Sequence, residues 1–316
     1  MTTKPSLLIT RRLPSSVIAR LEAACDIDLY TGESAIPRDE LLSRVRGKQA
    51  LMCLLTDRID GELLDAGRGL KIVADIAVGY NNIDVAAARA RGIVVTNTPD
   101  VLTESVADFT WALILGLTRR ISEGERVVRS GTWKGWALDF MLGSDVRGKQ
   151  LGLVGMGRIA RAVAARAPAF GMRVAYADDQ VAGVAGAEQM SLDRLLTTSD
   201  VVSLHVPLID STRHLIDKRA LARMKRSAWL INTARGPVVD EAALAWALGQ
   251  HLLAGAALDV YENEPAVHPD LLAMDNVLLV PHLGSATTET RTAMADLAAS
   301  NVLAVLAGKA PVTPVP

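Results

Sequence analysis

Short aliphatic runs alternate with stretches of helical spacing along almost the whole chain. The runs predict strands at residues 6–9, 50–54, 71–74, 93–96, 150–154, 173–177, 201–204, 228–232, 253–258 and 277–280. Between them, apolar residues recur at helical spacing over 16–24, 39–45, 159–170 and 240–248. Strands that read as unbroken apolar runs are those covered on both faces. Their alternation with helices predicts an α/β protein with parallel sheets. A turn at Thr98-Pro99-Asp100 precedes a long helical pattern from Thr103 to about Arg129. Val106, Phe109, Trp111, Leu113, Ile114 and Leu117 make that helix apolar on most of its circumference, so it is expected in a core or against a partner. Residues 131–148 are rich in Gly and Trp and show no period, and a last helix is expected from about Thr288 to Leu306.

Length and charge narrow the class. The 316 residues suit two domains of ~100–200 residues each. Thirty-four Lys and Arg against 35 Asp and Glu leave a net charge of −1, so no basic excess exists to bind nucleic-acid phosphates. Half of the residues are hydrophobic, which excludes disorder. The apolar stretch at 7–9 is shorter than the ~7–15 residues of a secretory signal. That at 109–117 is shorter than the ~20 of a membrane span. Cys25 and Cys53 stand far apart with no CxxC, so the expected compartment is the reducing cytoplasm.

The strongest local motif is Gly155-Met156-Gly157-Arg158-Ile159-Ala160, between a predicted strand and a predicted helix. Such a turn needs Gly at 155 for its tightness and no Cβ at 157, where a pyrophosphate approaches the backbone. It needs a small residue at 160 for helix–strand packing, and the anion sits on the helix N–H groups, with Arg158 able to add a contact. Asp178 follows Gly155 by 23 residues at the end of the next strand, near the ~20 expected of an acid on ribose hydroxyls. Asp178-Asp179 with no Arg at hand favours NAD(H) over NADP(H).

Three polar islands lie at the ends of later strands: Ile231-Asn232-Thr233-Ala234-Arg235-Gly-Pro-Val-Val-Asp240, Ala257-Leu-Asp259-Val-Tyr-Glu262-Asn-Glu264-Pro265 and Val280-Pro-His282-Leu-Gly284-Ser285. Ligands of open α/β sheets bind outside the carboxyl ends of strands, so these loops can converge. An arginine fork, a histidine and a carboxylate suit reduction of a 2-keto acid. Arg grips the carboxylate and polarises the carbonyl, His moves the hydroxyl proton, and Glu orients the ring.

With the fingerprint, these islands resemble the D-isomer-specific 2-hydroxyacid dehydrogenase family. The likeness extends to Ala77-Val78-Gly79-Tyr-Asn-Asn-Ile-Asp84, Thr96-Asn-Thr-Pro-Asp-Val-Leu-Thr-Glu104 and Val206-Pro207-Leu208, and spans essentially the whole chain. It implies a Rossmann-type cofactor domain and a flavodoxin-like substrate domain around a cleft. The substrate domain would be discontinuous, 1–97 plus 284–316, with the cofactor domain at 98–283. Catalytic roles fall by resemblance on Arg235, Glu264 and His282, Glu264 being preferred over Glu262 because it precedes Pro265. Cofactor contacts fall on Thr103, Gly155, Met156, Gly157, Arg158, Ile159, Asp178, His205, Val206, Pro207, Thr233, Ala234, Asp259, His282 and Gly284. Substrate contacts fall on Leu54, Val78, Gly79, Arg235, His282 and Ser285. A homodimer is implied through the helix after Thr103 and the 131–148 region.

Leu54-Leu-Thr-Asp-Arg-Ile-Asp60 and Gly131-Thr-Trp-Lys-Gly-Trp136 are most similar to the glyoxylate/hydroxypyruvate reductase branch. Several of that branch carry an Arg where this chain has Asp178-Asp179, so their NADPH use does not transfer. Trp133 and Trp136 read equally as packing at a dimer edge and as an aromatic wall for a small substrate. His214, His251 and His268 read as surface or loop residues, and no HExxH or paired His/Cys spacing calls for a metal. The expected function is NADH-dependent reduction of glyoxylate or hydroxypyruvate. The alternatives are a six-carbon keto acid such as 2-ketogluconate, and a non-catalytic NAD sensor, which would be expected to carry appended peptide-binding segments.

Overall fold

A computed structural model describes residues 4–316. In chain order its elements are β1 (Ser6–Ile9), α1 (Ser15–Glu22), β2 (Asp26–Leu29), α2 (Arg38–Arg44), β3 (Ala50–Cys53), α3 (Gly61–Ala66), β4 (Ile72–Asp75), α4 (Val85–Ala90) and β5 (Val94–Thr96). There follow α5 (Thr103–Thr118), α6 (Ile121–Arg129), β6 (Gln150–Val154), α7 (Arg158–Arg166), β7 (Arg173–Ala177), β8 (Ala187–Gln189), α8 (Leu192–Thr198) and β9 (Val201–Leu204). The rest are α9 (Lys218–Arg223), β10 (Trp229–Asn232), α10 (Glu241–Gly249), β11 (Gly255–Leu258), α11 (Pro269–Leu272), β12 (Val277–Leu279) and α12 (Thr288–Leu306). The chain divides into two compact units, one of residues up to Leu102 with Thr287–Pro316, the other Thr103–Ala286.

The first unit holds a parallel sheet of order β2-β1-β3-β4-β5, the flavodoxin-like order. Its strands alternate between two apolar layers. Leu8, Leu51, Cys53 and Val73 pack with the residues of α2, α3 and α4. The opposite face meets α1 and α12, where Val17, Leu21, Met294, Ala298 and Val302 are buried. Burial on both faces is why these strands read as continuous aliphatic runs. Beside β5 the residues after α12 add an antiparallel bridge, Thr96 to Pro314, and Val315 N–H donates to Val95 O at 2.9 Å. An edge strand is thereby covered.

The second unit holds a parallel sheet of order β12-β11-β10-β9-β6-β7-β8, whose strand order reverses between β6 and β9. Leu151, Leu153, Tyr176, Ile231 and Ala257 face α5 and α7. Val154, Leu204, Leu230 and Leu258 face the layer of α8, α9 and α10. Side chains of Ser191, Asp217 and Asp240 accept an N–H from the first turns of α8, α9 and α10 and set where each helix starts.

Two strands escape the sequence pattern, β2 and β8. Both are edge strands with exposed or half-exposed residues, Asp-Ile-Asp-Leu and Ala-Glu-Gln, so no apolar run marks them. The helical pattern over 103–129 is two helices, not one. Ser144 N–H donates to the Thr118 carbonyl at 2.8 Å, ending α5, and Arg120 adopts a left-handed conformation at φ 55°. α5 spends its apolar surface within its own unit, whereas α6 has no buried residue. Among the described residues no helix is long and apolar enough to cross a membrane. Cys25 and Cys53 are both buried and unbonded to one another.

Candidate active site

Because all strands of each sheet run parallel, their carboxyl ends lie along one edge, and the expected site residues sit there. In the second unit, Gly155 follows β6 at φ 88°, and a Cβ there would meet the His205 carbonyl oxygen at 2.9 Å. Only glycine takes that turn without strain. Met156 is buried, and its N–H donates to Asp178 Oδ2 at 2.7 Å. The other Asp178 oxygen accepts from Gln180 and Val181 N–H at 2.8 and 2.9 Å. The acid at the end of β7 is therefore held as an acceptor against the fingerprint turn. Gly157 caps α7, and a Cβ on it would meet nothing within 4 Å. Open space in front of a helix N-terminus, bounded by a fixed carboxylate, fits a dinucleotide. Arg158 and Ile159 form the first turn of α7, and buried Ala160 packs that helix on the sheet.

His205, Val206 and Pro207 follow β9 on the far side of the strand-order reversal. The His205 ring bonds Ser203 Oγ through Nε2 at 2.9 Å, and burial drives its pKa down to about 4. It is uncharged near neutral pH. Thr103 begins α5, about two turns ahead of Thr110, whose hydroxyl lies 3.2 Å from that of Thr233. Ser105 donates to the Gly284 carbonyl at 3.0 Å, so α5 underpins the loops after β10 and β12.

The loop after β10 carries Thr233, Ala234 and Arg235. Asn232 closes it from below, accepting Ala234 N–H at 3.0 Å and donating to the Arg235 carbonyl at 3.0 Å. Asp259 follows β11 and is nearly inaccessible. Its two oxygens accept the N–H groups of Leu283 and Gly284 at 2.5 and 2.9 Å, while His282 N–H donates to its carbonyl at 2.9 Å. Burial pushes its carboxyl upward, opposed by those two N–H groups and by the His282 charge. This grip holds His282 in a left-handed conformation, φ 53°. The His282 ring sets Nδ1 3.0 Å from Glu264 Oε2, and both side chains are part-exposed. Burial would raise the Glu264 carboxyl. The His282 hydrogen bond and charge, the Tyr261 N–H and the Arg235 charge outweigh it and hold the pKa below the usual glutamate value. Arg235, Glu264 and His282 thus form one electrostatic group, with Asp259 beneath it and Ser285 on the same loop.

In the first unit, Leu54 follows β3 and Val78-Gly79 follow β4. Asn82 joins the two loops, its Nδ2 donating to the Leu54 and Asp57 carbonyls at 3.1 Å each. Asn97 Nδ2 holds the Val78 carbonyl at 2.8 Å.

Two features had no sequence signal. His214, read as a surface residue, sits 2.6 Å from Glu262 Oε1. Glu241, which reads as one more acid in the first turn of a helix, is buried and reaches across to Glu262 and His268.

The model of the D-isomer specific 2-hydroxyacid dehydrogenase NAD binding domain matches residues 111–284. The chain is 47% identical to a glyoxylate reductase of Thermofilum pendens over 98% of its own length and 93% of that protein's. The chain belongs to the D-isomer-specific 2-hydroxyacid dehydrogenase family. A solved glyoxylate reductase from Paecilomyes thermophila superposes with a TM-score of 0.89 at 34% identity, covering 100% of this chain and 99% of that one. An NADPH-dependent glyoxylate/hydroxypyruvate reductase from Sinorhizobium meliloti, solved with NADP and malonate, gives 0.88 at 36% identity and covers 99% and 97%. As a member of this family, the chain is an oxidoreductase with a nicotinamide-cofactor-binding domain that acts on small keto or hydroxy acids.

Proposed function

We propose that the chain reduces a small 2-keto acid, glyoxylate or hydroxypyruvate, with NADH and with His282 as the proton donor. The observation that carries this reading is the His282–Glu264 contact of 3.0 Å beside Arg235. With Nδ1 given to Glu264, Nε2 is the ring atom left to face substrate. A protonated His282 delivers its Nε2 proton to the oxygen that gains charge at C2, and the carboxylate of Glu264 stabilises the cation before transfer. Arg235 meets the substrate carboxylate with its planar fork and stabilises negative charge growing on the carbonyl oxygen. Ser285, on the same loop as His282, adds a further substrate contact in this reading. Gly155–Ile159 and the loops at Thr103, 205–207, 233–234 and 259 would hold a reduced nicotinamide, which when bound would supply the hydride.

NADH is preferred in this reading because Asp178 and the exposed Asp179 stand where a 2′-phosphate would lie. Two carboxylates within a few ångströms of a phosphate are repulsive. A homodimer is proposed through α6 and the residues after it, where Ile121, Val128, Trp136, Leu138 and Leu142 are 61–82% exposed. Exposed large apolar side chains concentrated in one segment suit an interaction surface. With its cysteines free, the chain suits a reducing cytoplasm.

The test follows absorbance at 340 nm with NADH or NADPH and keto acids of two, three and six carbons. Turnover of the two- and three-carbon acids with NADH is expected. Binding of NADH without turnover of any 2-keto acid overturns the proposal. Turnover mainly of the six-carbon acid corrects the substrate and leaves the His282 chemistry standing.

A further inference from the structure

Glu264 sits at the tip of a tight turn in which Ala266 N–H donates to the Asn263 carbonyl at 2.9 Å. Both flanks of that turn are held by one carboxylate from another element. Glu262 N–H donates to Glu241 Oε1 at 2.5 Å, and His268 N–H donates to Glu241 Oε2 at 3.1 Å. Glu241 is the first residue of α10 and only 5% exposed. The grip is reciprocal, since Glu241 N–H donates to Glu262 Oε2 at 3.0 Å. The remaining Glu262 oxygen is 2.6 Å from His214 Nε2. α10 is itself fixed, with Ala243, Leu244, Ala247 and Leu248 in the core.

We propose that Glu241 is a positioning residue for the acid–base pair: it fixes the turn bearing Glu264, and through Glu264 the His282 ring. This rests on the reading of His282 as proton donor. The chemistry of the contact requires a carboxylate. Two N–H groups must each meet an acceptor, and only an ionised carboxylate offers one on both atoms. A glutamine offers one oxygen and turns its NH₂ toward the second N–H, so one flank is released. An alanine releases both flanks and leaves two buried N–H groups unpaired.

The experiment is a double-mutant cycle on the full chain, with glyoxylate and NADH in steady state and NADH affinity read by fluorescence. Glu241→Ala is expected to lower kcat about 10–100-fold, the scale of an ångström-sized misplacement, with KM and NADH Kd within about twofold. Glu241→Gln should fall between it and the unsubstituted chain. In a Glu264→Ala background, adding Glu241→Ala should cost less than about twofold, because a residue acting through Glu264 has nothing left to act through. Full additivity of the two losses, or a loss carried by KM or Kd, overturns the inference. If Glu241→Ala does not fold, Glu241→Gln with Glu264→Ala closes the same cycle. An unsubstituted chain that turns over no 2-keto acid overturns the functional reading and this inference together. Turnover with additive losses overturns the inference alone.

Discussion

Gly236 joins the arginine loop to the glutamate loop, and replacing it with alanine tests that junction. A methyl group there would lie 1.8 Å from the Tyr261 carbonyl carbon, 1.9 Å from its oxygen and 2.5 Å from Glu262 N. Carbon contacts are comfortable near ~3.5 Å, so one backbone must retreat from the other by roughly 1.5 Å. Neither is a flexible side-chain end, and both lead within three residues to groups of the proposed catalytic set, Arg235 and Glu264. Overpacking of this kind costs about 1–3 kcal/mol. In a unit of 150–250 residues that lowers Tm by roughly 2–12 °C. A shift of about 1 Å between catalytic groups lowers kcat about 100-fold. Gly157→Ala is the control, because its methyl meets no protein atom within 4 Å and its φ of −73° suits alanine. It should leave stability within about 0.5 kcal/mol and weaken NADH binding instead. Thermal melts, NADH fluorescence titration and steady-state kinetics on both variants separate the two effects. A Gly236→Ala protein with unchanged Tm and kcat refutes the reasoning, as does a Gly157→Ala protein that loses equal stability.

Further predictions concern the cofactor, pH and assembly. Asp178→Ala should lower kcat/KM for NADH about 10–100-fold, the value of a hydrogen bond to a charged group, and raise the NADPH to NADH ratio; an unchanged ratio removes Asp178 from cofactor selection. His205 takes up its proton near pH 4 when folded but at its ordinary 6.5 when unfolded. Protons therefore favour the unfolded chain between those values, and stability present above pH 6.5 is lost as pH falls toward 4, by about 3 kcal/mol. His205→Asn should flatten that part of the profile in urea melts at pH 7 and 4.5; an identical slope in both proteins refutes it. Trp136 and Leu138 are each 82% exposed, so replacing both with lysine should leave Tm of a dilute sample near its starting value while shifting light-scattering mass toward the monomer. A mass unaltered by the pair of lysines removes this patch from the proposed interface.

What was legible in the sequence was what local chemistry dictates. Strands buried on both faces, such as Ala50–Cys53 and Val201–Leu204, show as aliphatic runs because every position meets a core. The fingerprint showed because Gly155 needs its positive φ and Gly157 needs its empty space, and few residues serve either. Edge strands β2 and β8 did not show, since half-exposed positions accept polar residues and only a neighbouring strand makes them strands. Nor did the break after Thr118, which is capped by Ser144 from 26 residues away.

Composition, motif order and spacing determined that the chain is α/β, carries a dinucleotide turn and places Arg, Glu and His at strand ends. The resemblance already preferred Glu264 over Glu262, and tertiary structure decided what each of the two meets. Glu262 and Glu264 differ by two residues in one loop, yet Glu264 faces His282 while Glu262 turns to His214 and the head of α10. Sequence encodes each residue's capacity to bond, but the partner is chosen by which backbones pack together. Here a glycine at 236 lets two loops touch, and a buried carboxylate at 241 holds both flanks of the turn that bears Glu264.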